Sequence, residues 1–122
     1  MDDHKEHALV VKALRDGLGN CVVWHGKGAQ LLRDDPELHG LSPEFILREV
    51  VRLVRASADP GSIVKQVPEK REGWRDNYRF YYKVVLPAAG FKDGVFVEMR
   101  LTGDDDPDYP EVTLFNAHPH RK

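Results

Sequence analysis

The sequence predicts an α+β fold, with N-terminal helices packed on one face of a C-terminal antiparallel sheet. Residues 1–60 carry apolar side chains mainly at helical spacing. Residues 61–122 instead hold short runs of β-branched and aromatic residues that Gly or Pro separates. Helices followed by strands in this order are typical of α+β proteins. The length of 122 residues, with 41% hydrophobic and 31% charged content, predicts one globular domain over residues 1–122.

The first half predicts three helices and one strand. Apolar spacing predicts a helix over residues 5–15. A second, short helix is predicted over about 27–34, ending just before Pro36. Between them, the β-branched and aromatic run CVVWH predicts a short strand. The third helix begins with Ser42 as N-cap and Pro43 at its first position. Its apolar stripe consists of Phe45, Ile46, Val50, Leu53 and Val54.

The second half predicts four strands, in the runs SIVKQV, NYRFYYKVVL, GVFVEMRL and EVTLFNA. A hairpin connection, PAAGFKDG, joins the second and third, and the longer TGDDDPDYP precedes the fourth. Side chains alternate along a strand, so the second run should have one buried and one polar face. The buried face would hold Tyr78, Phe80, Tyr82 and Val84, and the polar face Arg79, Tyr81 and Lys83.

Several classes of protein are disfavoured. The apolar runs fall far short of the ~20 residues that a membrane-spanning helix needs, so no membrane partner is predicted. The charged start, MDDHKEHA, is unlike a secretory signal peptide. A single cysteine, Cys21, cannot form an internal disulfide and fits a reducing compartment, and its apolar run favours a buried thiol. We therefore predict a cytoplasmic protein.

Positive charge and aromatic rings are concentrated in residues 65–83. This segment has six basic and three acidic residues, a local charge of +3, in a chain of net charge −2. Basic side chains that bind phosphates and rings that stack on unpaired bases suit single-stranded RNA. A solvated sheet face with half-buried tyrosines is the alternative. The RNA-binding candidates are Lys70, Arg71, Trp74, Arg79 and Lys83.

Three stretches carry a resemblance to a known family. In order, GLSPEFILREVVRLVRASADPGSIVKQV, WRDNYRF-YYKVVL and GVFVEMRL resemble the MqsR-type toxins, with a match over roughly residues 8–101. These toxins are small endoribonucleases of RelE-like fold, in the barnase–EndoU–colicin–RelE group, and are usually paired with an antitoxin. The resemblance therefore implies a RelE-like fold, RNA cleavage and a cognate antitoxin as partner.

The resemblance also implies site residues. The family's lysine after the long helix corresponds to Lys65, its strand tyrosine to Tyr81 and its basic residue on the next strand to Arg100. Its polar residue after the tryptophan corresponds to Arg75, where the family typically has glutamine, so that role differs here. The C-terminal strand, which ends in AHP, is similar to the close of other nucleases in the wider group. His118 is therefore a further catalytic candidate, with a solvated tail as the alternative.

The expected reaction uses the RNA's own 2′-OH. This oxygen attacks the adjacent phosphorus, giving a 2′,3′-cyclic phosphate and a free 5′-OH without a metal. Lys65 and Arg100 would stabilise the extra negative charge, and Arg75 would bind two phosphate oxygens. Tyr81 would orient the nucleotide or transfer a proton, and His118 would exchange one.

No metal or cofactor is predicted. The acidic loop DDDPD lacks the glycine and distal glutamate of an EF-hand, and the histidines lack the spacing of a zinc site. An endoribonuclease toxin is the favoured interpretation. The alternative is a non-catalytic module that binds RNA or a protein with the same cationic face.

Overall fold

The computed structural model describes residues 2–17, 21–38, 40–88 and 90–120. Over these ranges the chain forms four α-helices and a five-stranded sheet, which confirms the α+β class. None of the helices described there has both the length and the apolar character needed to cross a bilayer. The helices are α1 (Asp3–Asp16), α2 (Gly26–Asp34), α3 (Pro43–Ala56) and α4 (Pro60–Ile63). The strands are β1 (Val22–Trp24), β2 (Lys65–Pro68), β3 (Phe80–Ala88), β4 (Phe91–Gly103) and β5 (Glu111–Pro119).

The sheet is mixed. Its strand order is β1-β5-β4-β3-β2, and the four strands after residue 60 are antiparallel, as the sequence predicts. Strand β1, from the first half, lies at the edge and pairs with β5 in parallel. The prediction of a purely antiparallel sheet formed after residue 60 is therefore wrong at this edge. A parallel neighbour requires a long crossover, which the chain between β1 and β5 supplies.

The N-caps explain where the two long helices begin. The Asp2 carboxylate accepts a hydrogen bond from the Lys5 backbone N–H (2.8 Å), which caps α1. Ser42 accepts one from the Phe45 N–H (3.0 Å) with Pro43 at the first helical position, as predicted for α3. In the predicted apolar stripe of α3, Phe45 is 38% exposed and lies outside the core. The core side of α3 is formed by Ile46, Val50 and Val54, with Leu53 partly buried beside them.

Helices α1 and α3 pack on one face of the sheet. On that face β3 buries Tyr82 and Val84, which confirms their predicted side of the strand. The Tyr82 hydroxyl donates to Glu6 of α1 (2.5 Å) and accepts from Gln66 (3.0 Å). Burial, and next the bond to Glu6, raise the pKa of Tyr82, so the phenol stays neutral. The other core residues of the sheet are Val22, Leu86, Val95, Val97, Met99, Val112, Leu114 and Ala117.

Helix α2 lies against β5 beyond the end of β1, and Gly28 makes this contact possible. A Cβ at position 28 would overlap the backbone carbonyl oxygen of Phe115. Gly28→Ala is therefore expected to lower the free energy of unfolding by about 1–3 kcal/mol, because a backbone atom cannot move aside cheaply. The measurement is the urea-unfolding midpoint by circular dichroism.

Gly26→Ala is the matched control for Gly28→Ala, since a Cβ at position 26 meets no heavy atom within 4 Å. Both glycines lie in the first turn of α2, so their change in helix propensity is similar. Equal unfolding midpoints for the two variants would contradict the close approach of α2 to β5.

Candidate functional site

The sheet face opposite α1 and α3, here called the outer face, carries the candidate residues. The strand register places Lys83 beside Lys65 of β2 and Glu98 of β4, and Asn116 of β5 beside Glu98. One part of this face is covered by residues 69–79, here called the Trp74 loop, which joins β2 to β3. Outside this loop the outer face carries exposed side chains, among them Lys65, Asn116 and His118.

The Trp74 loop is held at its base and turns sharply. The Glu69 N–H donates to the Arg79 carbonyl (2.9 Å), which continues the pairing of β2 with β3. Two further turn bonds run from the Trp74 N–H to the Arg71 carbonyl (3.1 Å) and from the Tyr78 N–H to the Trp74 carbonyl (3.0 Å). Gly73 has φ +88°, a conformation that glycine adopts readily and other residues rarely.

Arg100 lies beneath the Trp74 loop and is fully buried. Its guanidinium carbon is 3.9 Å from the centroid of the Trp74 ring, a close cation–π contact. Aromatic side chains thus surround the charge, which is therefore shielded from water. The other rings are Phe115 at 5.2 Å, Tyr78 at 5.6 Å and Tyr81 at 5.8 Å.

Two carboxylates neutralise Arg100. Its two terminal nitrogens donate to Glu69 and Glu98, each at 2.9 Å. Arg71 also binds both carboxylates, at 3.3 Å and 3.1 Å, so the four residues form a charge-balanced group, here called the Arg100 cluster. Burial alone would lower the pKa of Arg71, but the bonds to Glu98 and Glu69 hold that pKa above its usual value. Within the described residues the Arg100 Nε has no hydrogen-bond partner.

The structure changes the interpretation of three sequence candidates. Arg100 lies on the outer face of β4, but rings and carboxylates enclose it, so it is not exposed to bind a phosphate as the expected reaction requires. Arg79 forms an ion pair with Asp3 of α1, on the helical side of the sheet. Tyr78 precedes β3 and packs on the Arg100 cluster, so its predicted place on the core face is wrong.

Lys65, Lys83, Phe96 and His118 form what we call the open patch. Lys65 and Lys83 are direct partners across β2 and β3. The Lys83 ammonium is 5.7 Å from the Phe96 ring centroid. His118, the direct partner of Phe96 on β5, stacks on the same ring with centroids 4.7 Å apart and planes inclined by 12°. An ammonium and an imidazole thus share one aromatic neighbour at the surface.

The charge of the open patch is unbalanced. In the described parts of the chain neither Lys65 nor Lys83 belongs to an ion pair, although like charges directly opposite in a sheet are unfavourable. Glu98 is the partner of Lys83 on the other side, but its carboxylate binds Arg100 and Arg71 instead. A bound anion would relieve the repulsion between the two lysines.

The remaining candidates lie on or beside the Trp74 loop. Lys70 and Arg75 are exposed there, and Trp74 is half-buried over Arg100. Tyr81 is half-buried on the outer face with the Arg71 guanidinium 4.9 Å from its ring. The four residues that the resemblance assigns are thus divided. Lys65 and Tyr81 are on the outer face, Arg75 is on the loop, and Arg100 is underneath.

Sequence reasoning missed Phe96 and Asn116. Phe96 lies between two buried valines, so the sequence gives no sign that its side chain is outside the core. Only the β4–β5 register, which pairs it with His118, places it in the site. Among the described residues, no group of three or more His, Cys, Asp or Glu side chains is arranged to hold a metal ion.

Comparisons with protein families, curated proteins and solved structures give no significant match to this chain. The resemblance to the MqsR-type toxins and the RelE-like arrangement therefore stay predictions. The class that the fold defines is an α+β domain with one helix-covered and one partly open sheet face.

Proposed function

We propose that this protein is a metal-independent endoribonuclease that cleaves single-stranded RNA at the open patch. The observation that carries the proposal is the pair Lys65 and Lys83, which have no ion-pair partner among the described residues, beside a histidine that stacks on Phe96. Two ammonium groups on adjacent strands suit a phosphate, and exposed rings suit unpaired bases. The acidic balance of the rest of the chain leaves this patch as a local cationic surface.

The chemistry at the open patch follows the self-cleavage of RNA. The 2′-oxygen forms a bond to phosphorus while the bond from phosphorus to the 5′-oxygen breaks, leaving a 2′,3′-cyclic phosphate and a 5′-hydroxyl. Lys83 and Lys65 stabilise the negative charge that develops on the phosphoryl oxygens. His118 accepts the proton of the 2′-OH or donates one to the departing 5′-oxygen. Tyr81 lies on the same face and orients the nucleotide.

The proposed biological setting rests on the resemblance. It adds a toxin–antitoxin role, a cognate antitoxin as protein partner and a cytoplasmic location. The second candidate is a binding module that holds RNA or a protein without cleaving it. The burial of Arg100 favours this candidate, because one of the expected charge-stabilising groups is already neutralised by carboxylates.

The proposal predicts RNA cleavage in the presence of EDTA. Because the nucleophile is the RNA's own 2′-OH, incubation with single-stranded RNA should give fragments with 2′,3′-cyclic phosphate and 5′-hydroxyl ends. Gel electrophoresis and mass spectrometry of the fragment ends measure this. Binding to RNA without cleavage, whether the RNA is naked or on ribosomes, would favour the binding module.

A further inference from the structure

A cleft of about 340 Å³ lies beside the open patch. One side of the cleft is formed by the N-cap and first turn of α2, with His25, Lys27 and Gly28. Its other side is the outer face, with Phe115 and Asn116 of β5 and Glu98 of β4, and the Trp74 loop closes one end. Asn116 and Lys83 are both direct neighbours of Glu98 in the sheet, so the cleft adjoins the proposed phosphate position.

Aromatic rings form the walls of the cleft. The Phe115 ring stacks with His25 (5.2 Å, 30°) and meets the Trp74 ring edge-on (5.1 Å, 78°). Phe115 and Trp74 are both half-buried, so parts of their rings face the cleft and the solvent. A flat heteroaromatic group that enters between such walls gains stacking contacts whatever its identity.

The polar groups of the cleft are more selective than its rings. One oxygen of Glu98, Oε2, accepts hydrogen bonds from Arg100 (2.9 Å) and Arg71 (3.1 Å). Within the described residues, Oε1 has no donor, and the Asn116 amide makes no hydrogen bond. As a carboxylate paired with Arg100 and Arg71, Glu98 can accept hydrogen bonds and has none to donate.

A ligand that contacts the Glu98 carboxylate must therefore donate a hydrogen bond to it. Adenine, cytosine and guanine each carry an exocyclic amino group beside a ring-nitrogen acceptor or donor. Uracil has a single ring N–H between two carbonyl oxygens, and these oxygens would be repelled by Glu98. We propose that the cleft binds one amino-bearing base of the RNA and rejects uracil, an inference that rests on the proposed function.

The test uses 2′-deoxyuridine pentamers whose central base is adenine, cytosine, guanine or uracil. These probes lack the 2′-OH and cannot be cleaved by the proposed reaction, so they report binding alone. We expect the three amino-bearing centres to bind at least about tenfold more tightly than uracil, measured by calorimetry, as one charge-assisted hydrogen bond gains that much. Equal affinities for the four pentamers would overturn the inference.

Variants locate the binding to the cleft. Asn116 is exposed, so Asn116→Ala should fold normally and weaken binding of the amino-bearing probes several-fold. Gln30→Ala, on the exposed side of α2 and outside the cleft, is the matched control and should bind unchanged. Glu98→Gln, once thermal unfolding has shown that the variant folds, should bind the uracil pentamer as tightly as the other three. If Asn116→Ala and Gln30→Ala bound the amino-bearing pentamers with equal affinity, the base would bind elsewhere and the proposal would be contradicted.

The two experiments distinguish failure of the base-binding cleft from failure of the nuclease proposal. RNA cleavage in EDTA together with equal pentamer affinities would leave the proposed function standing and remove the base-binding cleft. Selective pentamer binding without any RNA cleavage would keep the cleft as the base site of a binding module.

Discussion

Arg100→Ala is expected to lower the free energy of unfolding by about 3–5 kcal/mol, because it leaves two buried carboxylates with only the half-exposed Arg71 as counter-charge. Glu69 and Glu98 are 7% and 6% exposed, and each accepts a 2.9 Å bond from Arg100. The substitution also removes the cation on which the Trp74 ring packs. Urea unfolding followed by circular dichroism measures the loss, and the Trp74 loop should become more susceptible to protease.

Arg75→Ala is the control for Arg100→Ala, since Arg75 lies exposed on the same loop. Its stability should stay within about 0.5 kcal/mol of the unsubstituted protein. An Arg100→Ala protein of normal stability that has lost only RNA cleavage would contradict a structural role for the Arg100 cluster. That outcome would return Arg100 to the phosphate-binding role that the resemblance implies.

Lys83→Ala is expected to slow RNA cleavage by about 10²–10³-fold, the effect of removing one charge-stabilising donor from a reacting phosphate. Its stability should be unchanged or slightly higher, because the substitution also removes the repulsion between Lys83 and Lys65. Single-turnover cleavage rates and urea unfolding give the two quantities. A rate loss without a stability loss distinguishes a functional lysine from a structural one.

Lys5→Ala is the control for Lys83→Ala, since Lys5 is an exposed lysine on α1, behind the opposite face of the sheet. It should cleave RNA at the normal rate, although it removes the same charge from the chain. If Lys5→Ala and Lys83→Ala cleaved equally well, the open patch would not be the place where the phosphate reacts.

Local sequence signals predicted the local structure well. The Ser42 side chain caps α3 as expected, since a cap depends on residues within one turn. The alternation in β3 correctly separated Tyr82 and Val84 from Tyr81 and Lys83, because side chains on a strand alternate with a period of two. The parallel pairing of β1 was missed, since nothing near CVVWH indicates a partner some ninety residues away.

The candidate site could be predicted only in part. Lys83 was identified from the basic, aromatic segment and the alternation of its strand, and Lys65 and His118 from resemblances to nucleases; all three lie on the open patch. The resemblance assigned Arg100 to the site, but its burial depends on how the Trp74 loop folds back over the sheet. No rule of sequence spacing relates a tryptophan in a loop to an arginine on a distant strand. The contact between Trp74 and Arg100 therefore could not be predicted from the sequence.

The most direct test of the nuclease proposal uses DNA oligonucleotides that contain one ribonucleotide. Four oligonucleotides, with A, C, G or U as the ribonucleotide, are incubated with the protein in EDTA and their fragments are weighed by mass spectrometry. The proposal predicts cleavage only on the 3′ side of the ribonucleotide, in at least one of the four, with a cyclic phosphate at the new end. Cleavage at deoxynucleotide positions would contradict it, as would a folded protein that cuts neither these oligonucleotides nor all-RNA substrates.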